Sequence, residues 1–506
     1  MITTSEPVSR LHLEQIDNEL RIHCPSLVAL NWIADYLTYF RPVTKRQNDR
    51  LYTTTVEEKC YQHSETDPLL LSCPAGFEWM LRKKFKRQFE FSAVRWRDNR
   101  ITANTRPDWS LIDESQFRSG QKPILQALAQ ADQGRVVVTT AVGKSYLIGC
   151  YAILMPGARI LVSTKNKPVL FELYEYLDDL LPGQAGLVCS GKNKNANARI
   201  VCVSQGTLGR YFPPGENQDT DVLIVDEYHE WGSPQKLELL SGVWKAKLFG
   251  LSGNEFRDDG AEFRLNGIFG PVLAKMDYAQ AVAKHLVTPI CVVWVPVRSD
   301  RDPVRDWDKV DDIQRYGVWQ YPARNQAIAD AARLFRDEDQ VLISVRTIEH
   351  ALYLRRHLPE YTLVYSPQDK RTSNMGMFQA RGLTARLPDM TEQRLRELKQ
   401  RFAVGDLKKV IATSIWSHGV NFPDLRVVIR ADGMNSTIAD TQWPGRAARV
   451  KDGKEISLVI DFTDEYNSHF MSKAASRRMR YSQHQWEQIT LSDLKRLMGL
   501  PRDSGL

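Results

Sequence analysis

Two short stretches hold residues whose types and spacing could do chemistry: Val138-Thr-Thr-Ala-Val-Gly-Lys-Ser145 and Asp226-Glu227-Tyr228-His229. Each follows a β-branched run that reads as a buried parallel strand, Arg135-Val-Val-Val-Thr139 and Asp221-Val-Leu-Ile-Val225. A strand, a glycine–lysine–hydroxyl turn and then a helix aim backbone N–H groups and a helix N-terminus at phosphate oxygens. In that arrangement Thr140, Gly143, Lys144 and Ser145 cradle a nucleotide, with Lys144 on the β and γ phosphates and the Ser145 hydroxyl on Mg2+. Asp226, at a strand end, supplies a carboxylate for the same Mg2+, and Glu227 a second acid able to orient water. The loop departs from G-x-x-x-x-G-K-[ST], since Val138 stands where the first glycine would be and Ala141 where another often is. Either stretch alone is a weak signal. Both in order, each on a strand, make ATP with Mg2+ the expected ligand.

The elements that must position these residues follow from the hydrophobic pattern. At 506 residues the chain exceeds a single core, so several domains are expected. Residues 1–105 mix alternating apolar segments with turns and read as a small α+β accessory domain. From 106 to 288, strands at 135–139, 159–163, 199–203, 222–225 and 247–251 alternate with helical segments. That alternation predicts a doubly wound parallel sheet. The pattern restarts over 289–465, with strands at 340–345, 361–365, 409–413, 425–430 and 456–462 and helices at 348–357 and 391–402. Two tandem α/β domains would set a cleft between them. Residues 466–506 read as a short, basic, helical extension.

Composition narrows the partners. The net charge of +7 is modest, so its distribution decides. From Arg82 to Arg106 nine Lys/Arg face two acids, interleaved with Phe85, Phe89, Phe91 and Trp96. A second cluster, Lys473, Arg477, Arg478 and Arg480, lies in the tail. Each could be a solvated face, but basic and aromatic residues mixed in this way suit nucleic acid. No stretch approaches the ~20 apolar residues that span a bilayer. The first residues carry no signal-peptide pattern, and seven scattered cysteines without a C-x-x-C pair argue against a disulfide framework. A cytoplasmic protein, or one of the host cytoplasm if viral, is expected, with no membrane partner.

Further along, the motifs become specific. Asp226-Glu227-Tyr228-His229 resembles the D-E-x-H box of superfamily 2 helicases. Leu251-Ser252-Gly253-Asn254 sits where that superfamily carries its S-A-T-like coupling motif. Gln442-Trp-Pro-Gly445-Arg446-Ala-Ala-Arg449 is similar to its Q-x-x-G-R-x-x-R motif. Ala412-Thr413-Ser414 through Gly419-Val-Asn421 resembles the preceding one, with Asn421 where Asp is frequent. Val341 to Arg346 fits the strand opening the second motor domain, and Phe117-Arg118-Ser-Gly-Gln121 resembles the adenine-sensing Gln motif. The resemblance implies two RecA-like domains and an ATP hydrolase. Lys144, Asp226, Glu227, Gln442, Arg446 and Arg449 would be catalytic, the arginines reaching the γ-phosphate from the second domain. Phe117, Arg118 and Gln121 would join the nucleotide site, and His229, Ser252 and Gly419 would couple nucleotide state to movement. Within the superfamily the layout resembles the phage recombination and branch-migration helicases.

Strand contacts are expected from loops on the opposite edge of each sheet from the nucleotide: Thr164, Lys165, Gln205, Thr207, Arg346, Thr413 and Ser414. Hydroxyl, amide and cationic groups suit phosphate contacts that carry no base information. Helix capping is the competing role for each Ser and Thr. Arg82, Lys83 and Lys84 are candidates in the N-terminal domain. Lys370, Arg371, Arg381 and Arg386 lie in an acid-poor segment that reads first as a surface loop and second as a duplex-engaging element. The expected substrate is forked, duplex or four-way-junction DNA, in recombination, repair or replication. Recombination or single-strand-binding proteins are candidate partners, and a monomer is expected. Competing readings are a duplex translocase of a restriction or repair complex, an RNA helicase, and a DNA-binding protein with a decayed ATPase.

Overall fold

The computed structural model describes residues 9–47, 50–94, 105–139, 142–213, 219–241, 246–253, 261–366, 372–383, 390–416, 422–435 and 437–500. The chain divides into two compact units, residues 1–139 with 143–277, and residues 140–142 with 278–506.

In the first unit eight strands form one sheet, in the order Lys192–Lys194, Ala185–Cys189, Ile200–Ser204, Ile160–Thr164, Val222–Asp226, Lys247–Ser252, Gln133–Val138, Val272–Met276. All neighbours pair in parallel except the first two. The five strands from Ala185–Cys189 to Lys247–Ser252 are buried along their whole length, which is why they read as continuous apolar runs rather than alternating ones. The doubly wound sheet expected from the sequence is therefore present. Ala185–Cys189 and Val272–Met276 are strands the pattern did not announce.

A five-stranded sheet precedes it, ordered Gln62–His63, Leu70–Pro74, Glu19–His23, Ser9–Ile16, Phe89–Val94. The helices Leu27–Tyr36 and Glu78–Phe85 accompany it, with Leu30, Ile33, Leu81 and Phe85 in its apolar core. It is joined tightly to the larger sheet's layer. The short helix Ala75–Phe77 packs on the helix Glu262–Phe269, with the Phe77 and Phe263 rings 5.3 Å apart. A Cβ on Gly267 would lie 2.0 Å from the Phe77 ring, and one on Gly76 2.2 Å from the Gly267 carbonyl oxygen. Asn18 donates from Nδ2 to the Ala246 carbonyl at 3.1 Å. Strands Thr38–Gln47 and Arg50–Lys59 form a separate two-stranded ribbon.

The second unit holds seven parallel strands, ordered Thr362–Val364, Lys409–Ala412, Val341–Ser344, Val427–Arg430, Ser457–Asp464, Ile290–Val297, Glu487–Thr490. The tail is helical over Ser468–Gln483 and Leu491–Leu497, and also contributes the edge strand Glu487–Thr490. Its basic cluster is engaged within the fold. Arg477 is fully buried on Asp461, Arg480 bonds Asp440 at 2.6 Å, and Arg478 stacks over Trp294 at 4.6 Å. Arg477 and Arg480 are therefore held within the fold, whereas Arg478 stays exposed where it lies over Trp294. Residues 372–380 form a helix rather than the expected surface loop, and Phe378 and Leu383 enter the core. All seven cysteines are buried thiols. No helix among the described residues is long and apolar enough to cross a membrane.

Gly267→Ala should lower the stability of the first unit by about 1–3 kcal/mol, the usual cost of overpacking a filled seam. Urea unfolding followed by tryptophan fluorescence measures it. An unchanged midpoint would mean the Ala75–Phe77 contact is not tight.

Candidate functional site

The site is built at the carboxyl ends of three adjacent strands, Val222–Asp226, Lys247–Ser252 and Gln133–Val138, where parallel sheets present ligand-binding loops. Gly143 is in the left-handed region at φ 100° and caps the helix Lys144–Leu154, so the turn into that helix needs the one residue without a Cβ. A Cβ there would meet the Gln121 Nε2 at 3.0 Å. Gln121 is thus pressed against the phosphate loop, and its Oε1 accepts from the Arg118 backbone N–H at 2.9 Å. Phe117 packs edge-on against Tyr146, 6.1 Å away, while Arg118 is exposed. The structure therefore brings Phe117, Gln121 and Gly143 together. Thr140 lies outside the described residues.

Lys144 projects from the first turn of its helix onto two carboxylates. Its ammonium bonds Glu227 Oε1 and stands 3.6 Å from Asp226 Oδ1. Burial pushes the Asp226 carboxyl up to about 6 against the pull of Lys144. In Glu227 burial acts the same way, but Lys144 and His229 outweigh it and hold the carboxyl at about 2. Neighbouring acids with such opposed protonation tendencies characterise functional sites more than structural ones. Glu227 is also in the left-handed region, at φ 50°, a strained conformation for a side chain that does not favour it.

The second oxygen of Glu227 faces a relay. His229 Nδ1 lies 2.6 Å from the Ser252 Oγ and 3.4 Å from Glu227 Oε2. Ser252 Oγ and the Gly253 backbone N–H donate to that same oxygen at 3.4 and 3.5 Å. His229 and Ser252 are buried. One residue beyond His229, Glu230 reaches toward Lys165, 3.9 Å away on the next strand's loop. Sequence reasoning missed Glu230, because nothing but folding places it there.

Asp226 Oδ1 is buried and accepts no hydrogen bond. A carboxylate oxygen in that condition is a hard donor suited to Mg2+, and Ser145 is exposed at the same loop. Among the described residues no cluster of three or more His, Cys, Asp or Glu could hold a metal. Mg2+ is commonly held by one or two carboxylates plus a ligand's phosphates, and these residues fit that mode.

The candidate strand contacts lie beside this site, at the carboxyl ends of strands in the same sheet rather than on its opposite edge. Thr164 and Lys165 follow the strand neighbouring Val222–Asp226, and Gln205 and Thr207 the one after that. At ~4.8 Å per strand the two sets of loops are separated laterally by roughly 10–20 Å. Lys165 is exposed, Thr164 buried, and Gln205 buried with an unbonded Nε2. The Thr207 hydroxyl lies 2.8 Å from Ser204 Oγ and donates to the Ser204 carbonyl at 3.0 Å. Thr207 therefore bonds back to the first turn of its own helix, a local structural role.

In the second unit Arg346 is exposed, with Nη1 3.0 Å from the Met434 sulfur. Thr413 is buried and Ser414 exposed after their strand. Arg381 pairs with Glu349 at 2.9 Å, which removes it from a free basic loop. Lys370, Arg371, Arg386 and Gly419 lie outside the described residues. Arg446, on the helix Thr437–Ala447, and Arg449 just beyond it are half-buried. Gln442 is on the same helix, its side chain outside the described residues. That helix is held by a buried network. Asp440 accepts from Arg430 and Arg480 at 2.6 Å each, and Tyr481 bridges Arg430 to Asp461 at 2.6 and 2.8 Å. On the helix Glu78–Phe85, Arg82 pairs with Glu78, Lys84 stands over the Tyr36 ring and Lys83 is exposed. Phe85 and Phe89 lie in the core, so those two rings are structural, and Trp96 lies outside the described residues.

Against known proteins, residues 326–451 match the family described as the helicase conserved C-terminal domain. The viral protein designated helicase 22, of Sulfolobus islandicus filamentous virus, is 22% identical over 283 residues, covering 54% of this chain and 47% of that protein. The chain thus spans about half the length of that relative. The DNA 3'-5' translocase XPB2 of Sulfurisphaera tokodaii is 20% identical, over 69% of this chain and 82% of its own. Among solved structures, S. cerevisiae Dbp5 bound to RNA and ADP BeF3 aligns with 76% of this chain and 92% of its own at TM-score 0.51 and 11% identity. T4 UvsW aligns with 95% and 99% at TM-score 0.39 and 15% identity. The fold is that of tandem RecA-like domains, and the likeness to superfamily 2 helicases read from the sequence is met again here.

Ser252→Ala would leave the buried His229 Nδ1 without this hydroxyl and should cost about 1–3 kcal/mol. Thermal unfolding of the purified chain tests it, and an unaltered midpoint would contradict the relay.

Proposed function

We propose that this chain, whose fold and helicase C-terminal domain are those of superfamily 2 helicases, is an ATP-driven DNA helicase or translocase acting on forked, duplex or junction DNA. The observation carrying the reading is the set of buried Asp226 with half-buried Lys144 and Glu227, the second oxygen of Glu227 being tied to His229 and Ser252.

The chemistry follows from competition for one ammonium. Lys144 bonds Glu227, and the same group is suited to the β and γ phosphates of ATP. Phosphate binding would draw Lys144 away and leave Glu227, still beside His229, to orient the attacking water. Mg2+, held by Asp226 and Ser145 with the phosphates, would neutralise charge on the transferring group. A change at Glu227 reaches His229 and Ser252 through direct bonds, and Glu230 to Lys165 carries it towards the strand-contact loops. Arg446 and Arg449 are the arginine candidates for the γ-phosphate. An arginine finger is worth roughly 10³–10⁵ in rate, and supplying it from a second domain ties hydrolysis to closure.

DNA rather than RNA is supported by the sequence relationship to a protein named as a DNA translocase. Branch migration is energetically light work, because each opened step of about 1.4 kcal/mol is repaid by one formed. The test measures ATPase without nucleic acid and with single strand, duplex, fork, four-way junction and RNA, alongside strand displacement and a Lys144→Ala control. The proposal expects strong stimulation by branched DNA and displacement abolished in Lys144→Ala. Duplex stimulation without displacement would indicate a translocase. No DNA stimulation, or greater stimulation by RNA, would overturn the DNA reading.

A further inference from the structure

The far end of the helix Thr437–Ala447 is held by a second set of contacts, separate from the Asp440 network. A helix leaves its last carbonyls without partners of its own. Here each carbonyl from Ala447 to Arg449 is taken up from outside. The Ala447 carbonyl accepts from the Ser457 hydroxyl and from the Lys454 ammonium. That of Ala448 accepts from the Thr288 backbone N–H at 2.8 Å. The Arg449 carbonyl accepts from the Thr288 hydroxyl at 3.1 Å and from Lys454 at 2.9 Å. Thr288 and Ser457 stand at the amino ends of two paired strands, where Ile290 lies opposite Ser457, so the helix end is fixed to the sheet.

Lys454 does more than close that end. Its Nζ also donates to the Pro423 carbonyl at 3.3 Å. Pro423 stands two residues after Asn421, in the segment that runs on from Thr413 and Ser414. An ammonium has three N–H donors, and this one meets three carbonyls, those of Pro423, Ala447 and Arg449. Capping alone would use only the two at the helix end. The turn bearing Lys454 is itself docked beside Pro423, since Lys451 pairs with Asp424 and Arg426 donates to the Gly453 carbonyl at 3.2 Å. Lys454 is half-buried. Burial, with Arg426, pushes its ammonium down to about 7, while the three carbonyls favour the charged form, which has a donor for each.

We propose that Lys454 is a positioning residue for ATP hydrolysis, fixing the backbone at Arg449 against the segment that ends at Pro423. Its donors are engaged by backbone carbonyls, so it acts through Arg449 rather than on the phosphates. Energetic coupling travels through contiguous bonded networks. This one joins the arginine to the segment carrying Thr413 and Ser414, so that the two move as one body. The inference rests on the reading of Arg449 as an arginine for the γ-phosphate, and adds the residue that aims it.

The test measures ATPase of the full chain with forked DNA present, as kcat and KM for ATP, with thermal unfolding alongside. The variants are Lys454→Met, Lys454→Arg, Arg449→Ala, and Lys454→Met combined with Arg449→Ala. Misplacing a reacting group by about 1 Å can cost on the order of 10²-fold, so Lys454→Met should lower kcat about tenfold or more. Its KM for ATP should stay near wild type, because Lys144, Asp226 and Glu227 lie in the other unit. Lys454→Arg, which keeps the charge and the donors, should recover most of the rate. In the double variant kcat should fall no further than in Arg449→Ala alone, as for two residues acting on one step. Lys454→Gln, with two N–H donors, should lie between wild type and Lys454→Met, and replaces it if Lys454→Met does not fold. Wild-type kcat in Lys454→Met, or the same factor lost in the wild-type and Arg449→Ala backgrounds, overturns the positioning role alone. Wild-type kcat in Arg449→Ala overturns the arginine reading and this inference with it.

Discussion

The contact on which the site depends is one half-buried ammonium set against two adjacent carboxylates. Lys144 can hold Asp226 and Glu227 in different protonation tendencies because Asp226 is buried and the other two are partly shielded from bulk water, where such a pair is worth little. That withdrawal is the work of the sheet. Three neighbouring parallel strands, buried almost throughout, end at the same level and deliver the loop, the acids and Ser252 to one place. Shifting any of them by one residue would turn its terminal side chain to the other face.

The same sheet explains how a small change at Glu227 can have a wider effect. Glu227 is strained, His229 and Ser252 are packed, and the segment that carries them lies against the helix Glu262–Phe269, with the Tyr228 and Phe269 rings 5.3 Å apart. That helix in turn bears the N-terminal sheet through Phe77 and the ribbon through Tyr39. Close packing of this kind transmits displacement rather than absorbing it. In the second unit the helix carrying Gln442 and Arg446 is held through Asp440 by Arg430 and Arg480. Tyr481 ties Arg430 on to Asp461, so the tail helix Ser468–Gln483 is part of what positions it.

The parts of this arrangement legible in the sequence were those carried by local pattern. Continuous apolar strands such as Val222–Asp226 and motifs such as Gly143-Lys144-Ser145 announce themselves. Strands with weaker signals did not: Ala185–Cys189 contains a glycine, Val272–Met276 is half-exposed at an edge, and Ile290–Val297 includes Pro296. The ribbon was also missed, although Asn48-Asp49 between two ten-residue strands is a turn signal of the right kind. Long-range electrostatics was hidden altogether. No local rule says that Arg477 and Arg480 serve Asp461 and Asp440 instead of solvent, that Arg381 bonds Glu349, or that Glu230 faces Lys165.

The central claim is that Glu227 acts in turnover while Lys144 and Asp226 serve nucleotide binding. The most direct measurement is equilibrium binding of a fluorescent ATP analogue with Mg2+, together with single-turnover hydrolysis, for wild type and Glu227→Gln. The isosteric amide keeps the shape of the site but not its charge. The account predicts nucleotide binding at near wild-type affinity with hydrolysis lower by about 10²-fold or more, as expected for loss of the group that orients water. Hydrolysis persisting at the wild-type rate in Glu227→Gln would contradict it.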